Sequence, residues 1–218
     1  MQKLTIEKKL YKNRFGKEFK KRNALWSILC KQFFQQFIFT NDIVLDVATG
    51  YGEFINNITC KKKFALDINP DSKKYMQSTV TFLLCPSTKI KLKEKSVDKI
   101  FLSNFFEHIT REEILQTITE FHRILKPSGK ILILQPNIRF CSKDYWMFFD
   151  HITPIDDRAL EEAFSYAGFK TDLRIERFLP FTTKSAMPQH PFFVHLYLSL
   201  KPAWRIFGKQ SFLIFEKT

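Results

Sequence analysis

The chain has 218 residues, 44% of them hydrophobic, and a formal net charge of +13. That length suits one sizeable α/β domain with a proper core, and no apolar run approaches the roughly 20 residues of a membrane span. The charge invites anionic partners such as nucleic acid, lipid headgroups or phosphorylated substrates, but no aromatic-basic RNA motif or zinc knuckle accompanies it, so nucleic acid is not favoured.

The four cysteines, Cys30, Cys60, Cys85 and Cys141, form no C-x-x-C pair and have no histidines at zinc spacing. The sequence therefore predicts a reduced, cytoplasmic protein with neither disulfides nor a metal. The lysine-rich start has no apolar segment behind it, as a signal peptide would.

In chain order, residues 1–22 carry much of the charge. Tyr11, Arg14 and Phe15 are candidates for a lid, with Arg14 facing an anionic substrate group. Residues 18–38 have helical apolar spacing through Phe19, Leu25, Ile28, Leu29, Phe33, Phe34 and Phe37. A strand over about 43–47 runs into the turn Val44-Leu-Asp-Val-Ala-Thr-Gly-Tyr-Gly-Glu-Phe54, after which a helix is expected.

Gly50 and Gly52 allow a sharp bend and close approach of a ligand. A dinucleotide fingerprint needs a third glycine three positions later, and Ile55 stands there. Asp46 would repel a pyrophosphate, yet it suits the donors of a methionine-like group. The turn therefore points to S-adenosylmethionine (SAM) and away from NAD.

A second strand, about 63–67, ends in Asp67, 21 residues after Asp46. That spacing is close to the ~20 residues at which an acidic side chain takes a ribose diol. Asn69 can cap the turn at Pro70, which leaves Asp67 for the ligand. Val80–Leu84 reads as a buried strand, residues 86–96 as a loop or weak helix, and Val97–Ser103 as a fourth strand. Thr110 with Glu113 forms a capping box for a helix to Leu125. Pro127-Ser128-Gly129 is a turn, and Lys130–Leu134 a fifth strand.

Beyond Gln135 the sequence predicts an aromatic loop over 136–153, a helix over Asp156–Ala167, a strand over 170–178, an irregular apolar stretch over 180–205, and an edge or antiparallel strand over Gln210–Glu216. Alternating strands and helices imply a mainly parallel sheet.

These ordered motifs resemble the class I SAM-dependent methyltransferases, in particular the small-molecule group called type 11, over about residues 40–135. The resemblance implies an α/β, Rossmann-like, seven-stranded, mostly parallel sheet with a reversed last strand and helices on both faces. It implies one methyltransferase domain over 1–218, with a helical cap at 1–40, a SAM-binding core at 41–135 and an acceptor side at 136–218.

Asp46, Ala48, Gly50 and Gly52 match the first motif, although the family usually has Gly at Ala48. Asp67 matches the ribose acid and Ile68 the adenine-packing residue. Pro86 and Ser87 stand where the family often has an adenine-binding Asp. Asn104 and Phe105 lead into the Glu107-His108 segment, and Arg123–Lys130 resembles the family's Leu-Lys-Pro-Gly-Gly turn with Ser128 for the first Gly.

The implied activity is methyl transfer from SAM, leaving S-adenosylhomocysteine, to an oxygen of a small-molecule or saccharide-type acceptor. Candidate bases are His108 and His151, with Glu107 lining the site, Asp150 orienting His151 and Tyr145 walling the acceptor pocket. The stretch 191–204, apolar and flanked by Lys184 and Lys201, suits peripheral membrane contact or a homodimer face. The carboxyl-terminal part also resembles methyltransferases of surface-polysaccharide pathways. Two other readings are an RNA methyltransferase and an inactive SAM-fold binding protein. Ser103-Asn104-Phe105-Phe106 lacks the Asn/Asp-Pro-Pro-Tyr/Phe motif of amino-group methylases, which argues against base N-methylation.

Overall fold

A computed structural model describes residues 18–180 and 191–218. The chain-order elements are α1 (Phe19–Gln32), β1 (Ile43–Val47), β2 (Lys62–Asp67), β3 (Val80–Leu84), β4 (Val97–Ser103), α2 (Arg111–Ile124), β5 (Leu125–Pro136), α3 (Ile138–Tyr145), α4 (Asp157–Tyr166), β6 (Phe169–Ile175), α5 (Pro191–Ser199), α6 (Lys201–Phe207) and β7 (Gln210–Lys217). Among the described residues they form a seven-stranded sheet in the order β3-β2-β1-β4-β5-β7-β6. The first five strands pair parallel. β7 runs antiparallel to both β5 and β6.

The central strands are apolar on both faces because both faces are covered. Alternate residues divide cleanly between two cores. Leu45, Ile100, Leu102, Ile131, Ile133, Leu213 and Phe215 face Ile114, Ile118 and Phe121 of α2 and Leu160 and Phe164 of α4. Val44, Phe101, Leu132, Leu134, Phe212 and Ile214 face Leu29 and Cys30 of α1, Tyr197 of α5 and Trp204 of α6. The many phenylalanines fill these layers as rings in contact. Phe54 stacks on Phe101 at 3.6 Å between centroids, and Phe164 on Phe215 at 4.2 Å.

Several expectations change. The helix expected after the glycine turn does not form: residues 51–57 are a run of turns, whose side chains Phe54, Ile55 and Ile58 still reach the core. The stretch 136–153 is not a plain loop, since it contains α3. The irregular 180–205 contains α5 and most of α6, and β7 is antiparallel, one of the two expected alternatives, but lies inside the sheet with β6 at the edge. Pro127–Gly129 is a bulge inside β5, because the pairing with β4 jumps from Val97–Leu125 to Lys99–Lys130. The Thr110–Glu113 capping box is present in both directions. The expected lid residues Tyr11, Arg14 and Phe15, and also Lys184, lie outside the described residues.

The bulge has a steric requirement. A Cβ at Gly129 would stand 2.8 Å from Leu125 Cδ2, 2.9 Å from the Lys126 carbonyl and 3.2 Å from that of Asp98. Gly129→Ala is expected to destabilise the fold by about 1–3 kcal/mol, the usual cost of overpacking, read as a lower urea midpoint at unchanged slope.

Candidate cofactor and acceptor site

Parallel strands deliver their carboxyl ends to one edge of the sheet. The crevice between β1 and β4, where the strand order reverses, is where such sheets take ligands. Asp46 and Asp67 stand at the ends of the neighbouring strands β1 and β2. Asp46 is buried and accepts a hydrogen bond from the Thr49 hydroxyl at 2.6 Å. Burial pushes its carboxyl up to about 8; the Thr49 hydroxyl opposes this, and the nearby Glu53 carboxylate adds to it. Glu53 is itself paired with Arg22 of α1 at 2.8 Å.

Asp67 is half-buried and ties two turns together. Its Oδ2 accepts the Gly50 N–H at 2.9 Å and its Oδ1 the Asn69 N–H at 2.8 Å. Burial also raises its pKa. Asn69 does cap the short 3-10 helix Pro70–Tyr75, through the Asp71 N–H, but Asp67 is not idle beside it. The Ser72 side chain and the Ile68 backbone also donate toward this carboxylate and hold its pKa down against burial.

The turn between them is built from left-handed backbone. Ala48, Gly50 and Gly52 have φ of 54°, 56° and 73°. Gly52 is buried beneath Met76, whose Cε would lie 2.6 Å from a Cβ placed there. Ala48 and Gly50 are only partly covered, so their backbone borders the crevice. The apolar side chains Ile68 and Leu84, at the ends of β2 and β3, are exposed and offer a surface for a flat ring.

The two residues expected near the adenine differ in exposure. Ser87 is buried with its hydroxyl 2.8 Å from that of Thr117 on α2, so it serves the core. Pro86 beside it is exposed. Asn104 follows β4 with φ 50° and an exposed side chain, and Phe105 is half-buried.

At the end of β4 the chain brings together residues far apart in sequence. Glu107, His108 and His151 have ligand-type atoms all within 4.8 Å of one another. Glu107 is buried, and its Oε2 accepts from the Gln135 amide at 2.7 Å. Burial raises its pKa, while His108 opposes the rise. Asp150, expected beside His151, also reaches His108: its carbonyl and carboxylate lie 3.1 and 3.5 Å from His108 Nδ1. Tyr145 does not wall an open pocket. It is fully buried behind His151, its ring 4.8 Å away and its hydroxyl donated to the Thr153 carbonyl. The exposed rim is Trp146, Phe149 and Ile152.

Sequence reasoning missed Gln135 and Thr49. Gln135 directly follows the apolar run Ile131–Leu134, and Thr49 lies inside the Val44–Phe54 turn.

Residues 45–133 match the family model of the methyltransferase domain. No curated protein matches the chain in sequence. Among solved structures, a SAM-dependent methyltransferase from Archaeoglobus fulgidus is 20% identical, with 90% of this chain and 94% of that one covered and a TM-score of 0.66. A SAM-dependent methyltransferase from Thermotoga maritima is 15% identical, covers 95% and 98%, and has a TM-score of 0.65. A structure of the Haloferax volcanii Trm112 methyltransferase activator in complex with a methyltransferase gives 18%, 93% and 94%, and 0.66. At these identities the structures share the fold.

Ala48 stands in a conformation that costs a side-chain-bearing residue about 1–2 kcal/mol, against about 0.5–1 kcal/mol for the extra freedom glycine loses on folding. Ala48→Gly is therefore expected to stabilise the protein by about 0.5–1 kcal/mol, as a small rise in melting temperature; a clear fall would contradict the strain.

Proposed function

We propose that this chain, whose residues 45–133 match the model of a methyltransferase domain, is a class I SAM-dependent methyltransferase in which the β1 turn and the end of β2 hold SAM and the Glu107–His108–His151 cluster receives the oxygen of a small-molecule or saccharide-type acceptor. The observation that carries this reading is the pairing of two different sites along one sheet edge. Acidic strand ends suit a cation and a diol, and a histidine–carboxylate cluster beside β4 suits an acceptor that must lose a proton.

SAM supplies the reactive methyl, and the protein supplies orientation and electrostatics. Asp46 offers a carboxylate for the cationic methionine end, Asp67 its carboxylate for the ribose, and Ile68 and Leu84 apolar cover for the adenine. Ala48 and Gly50 let the backbone come close. Methyl transfer forms a carbon–oxygen bond as the sulfur–carbon bond breaks, so the acceptor oxygen must lie opposite the sulfur. The cluster activates that oxygen for loss of its proton, an effect worth typically about 10²–10⁴-fold. The exposed Trp146, Phe149 and Ile152 give the acceptor an apolar rim. Exposed Leu196, Leu200, Ile206 and Phe207 beside Lys201 and Arg205 support peripheral contact with an anionic lipid surface, where a lipid-linked acceptor would be held. Incubation of labelled SAM with nucleotide sugars, saccharides, lipids and RNA tests the acceptor class: label on an oxygen of a saccharide or small molecule supports it, and label on RNA alone overturns it.

Two further outcomes follow for the cofactor. Asp67→Ala removes charged hydrogen bonds worth about 1.5–3 kcal/mol each, so SAM affinity by calorimetry should fall at least tenfold; an unchanged affinity would remove the ribose assignment. Asp46 has its pKa raised, so below about pH 8 it holds a proton that a cationic ligand must displace. SAM affinity is expected to rise with pH, by up to about tenfold per unit, and to level above about 8. Asp46→Asn should flatten that dependence, and a flat wild-type profile would contradict it.

A further inference from the structure

We propose that Glu107, His108 and His151 form a binding site for a divalent first-row transition-metal ion. The sequence predicted no metal because it holds no pair of ligands at zinc spacing, and the fold supplies the site by bringing His151 to Glu107 and His108. The inference rests on the reading of this cluster as the acceptor side and deepens it. An ion there would hold the acceptor oxygen and favour loss of its proton.

Four observations support the site. The donor set is two imidazoles and one carboxylate, with candidate ligand atoms all within 4.8 Å of one another. Bonds of about 2.0–2.1 Å place neighbouring ligands roughly 3.3–3.4 Å apart in a tetrahedral shell. His108 Nε2 and Glu107 Oε1 are already 3.8 Å apart, so small side-chain rotations close the shell.

The outer partners are also those a metal site needs. Ligating histidines donate their second ring N–H to a carbonyl or carboxylate, and ligating carboxylates are hydrogen-bonded in turn. His108 Nδ1 faces the Asp150 carbonyl at 3.1 Å, which directs Nε2 toward Glu107. The Gln135 amide holds Glu107 Oε2 at 2.7 Å and leaves Oε1 on the His108 side.

Burial gives the third observation. Glu107 is 1% exposed, and a buried carboxylate is costly unless it is paired or coordinates a metal. Finally, Gln135 Oε1 is buried with no hydrogen-bond partner among the described residues, an acceptor at hand for a metal-bound water. The His108 side chain is 27% exposed, so the ion and an acceptor oxygen have a route in. Two imidazoles among three ligands favour Zn²⁺-like ions over Mg²⁺.

The test is a Co²⁺ titration of the full-length, tag-free protein, read by visible absorption and calorimetry and followed by displacement with Zn²⁺. The expected result is saturable binding of one Co²⁺ per chain with ligand-field bands, displaced by Zn²⁺ and not by equimolar Mg²⁺. Glu107→Gln and His151→Asn should each weaken it more than tenfold, as should His108→Asn. SAM titration of the same preparations serves as the folding control and keeps the two readings apart. Absence of stoichiometric Co²⁺ binding in wild-type protein that binds SAM overturns the cation site and leaves the SAM site standing. So does Co²⁺ binding that all three variants, still binding SAM, retain at full strength.

Discussion

A carboxylate buried at the end of a central parallel strand is the constraint on which this site depends. Asp46 cannot be solvated as it would be in water, and Glu53 and Asp67 add negative charge around it. The protein meets the cost partly with the Thr49 hydroxyl and partly by holding the proton. A cationic ligand would relieve it directly, whereas a pyrophosphate would aggravate it. The second acid, Asp67, fixes the geometry. Its hydrogen bond to Gly50 clamps the β1 turn to the end of β2, so the backbone of that turn and the Asp67 carboxylate are set by one contact.

The opposite half of the crevice is positioned by different means. β5 and β7 carry Gln135 and its neighbours across the sheet, and Tyr145 of α3 backs His151 from behind with its hydroxyl anchored on Thr153. The Glu107 carbonyl receives the N–H groups of Ile152 and Thr153, which draws the 150–153 segment onto the end of β4. The Asp46–Asp67 half and the Glu107–His108–His151 half are therefore separate constructions sharing one edge of the sheet. Ala48 and Ser128, two departures from the family's usual glycines, both sit at positive φ, 54° and 58°. The backbone keeps the conformation in spite of the side chain, so neither departure argues for a lost site.

The cofactor half was legible in the sequence because its chemistry is local. A strand, an acid, two glycines and a second acid at a fixed distance lie within 24 residues, Val44 to Asp67, and strand alternation reads directly from the apolar runs. The helix after the glycine turn was not legible. Phe54, Ile55 and Ile58 have helical spacing, but they are drawn into the core by a chain that only turns. The acceptor half was legible residue by residue and not as a group. His108 and His151 were both visible candidates, yet 43 positions separate them, and their meeting depends on α3 and on the register of β5 with β7. That Asp150 reaches His108, 42 positions away, is a tertiary fact, and the pairing of Ser87 with Thr117 is another.

The central claim is that the acidic strand ends select a cationic nucleoside and reject a pyrophosphate. Equilibrium binding of SAM and of NAD to the same preparation, by calorimetry at pH 8 and moderate salt, tests it most directly. The account predicts one SAM per chain at micromolar affinity and no measurable NAD binding. NAD binding at equal or greater affinity, or no SAM binding at high micromolar concentration, would contradict it.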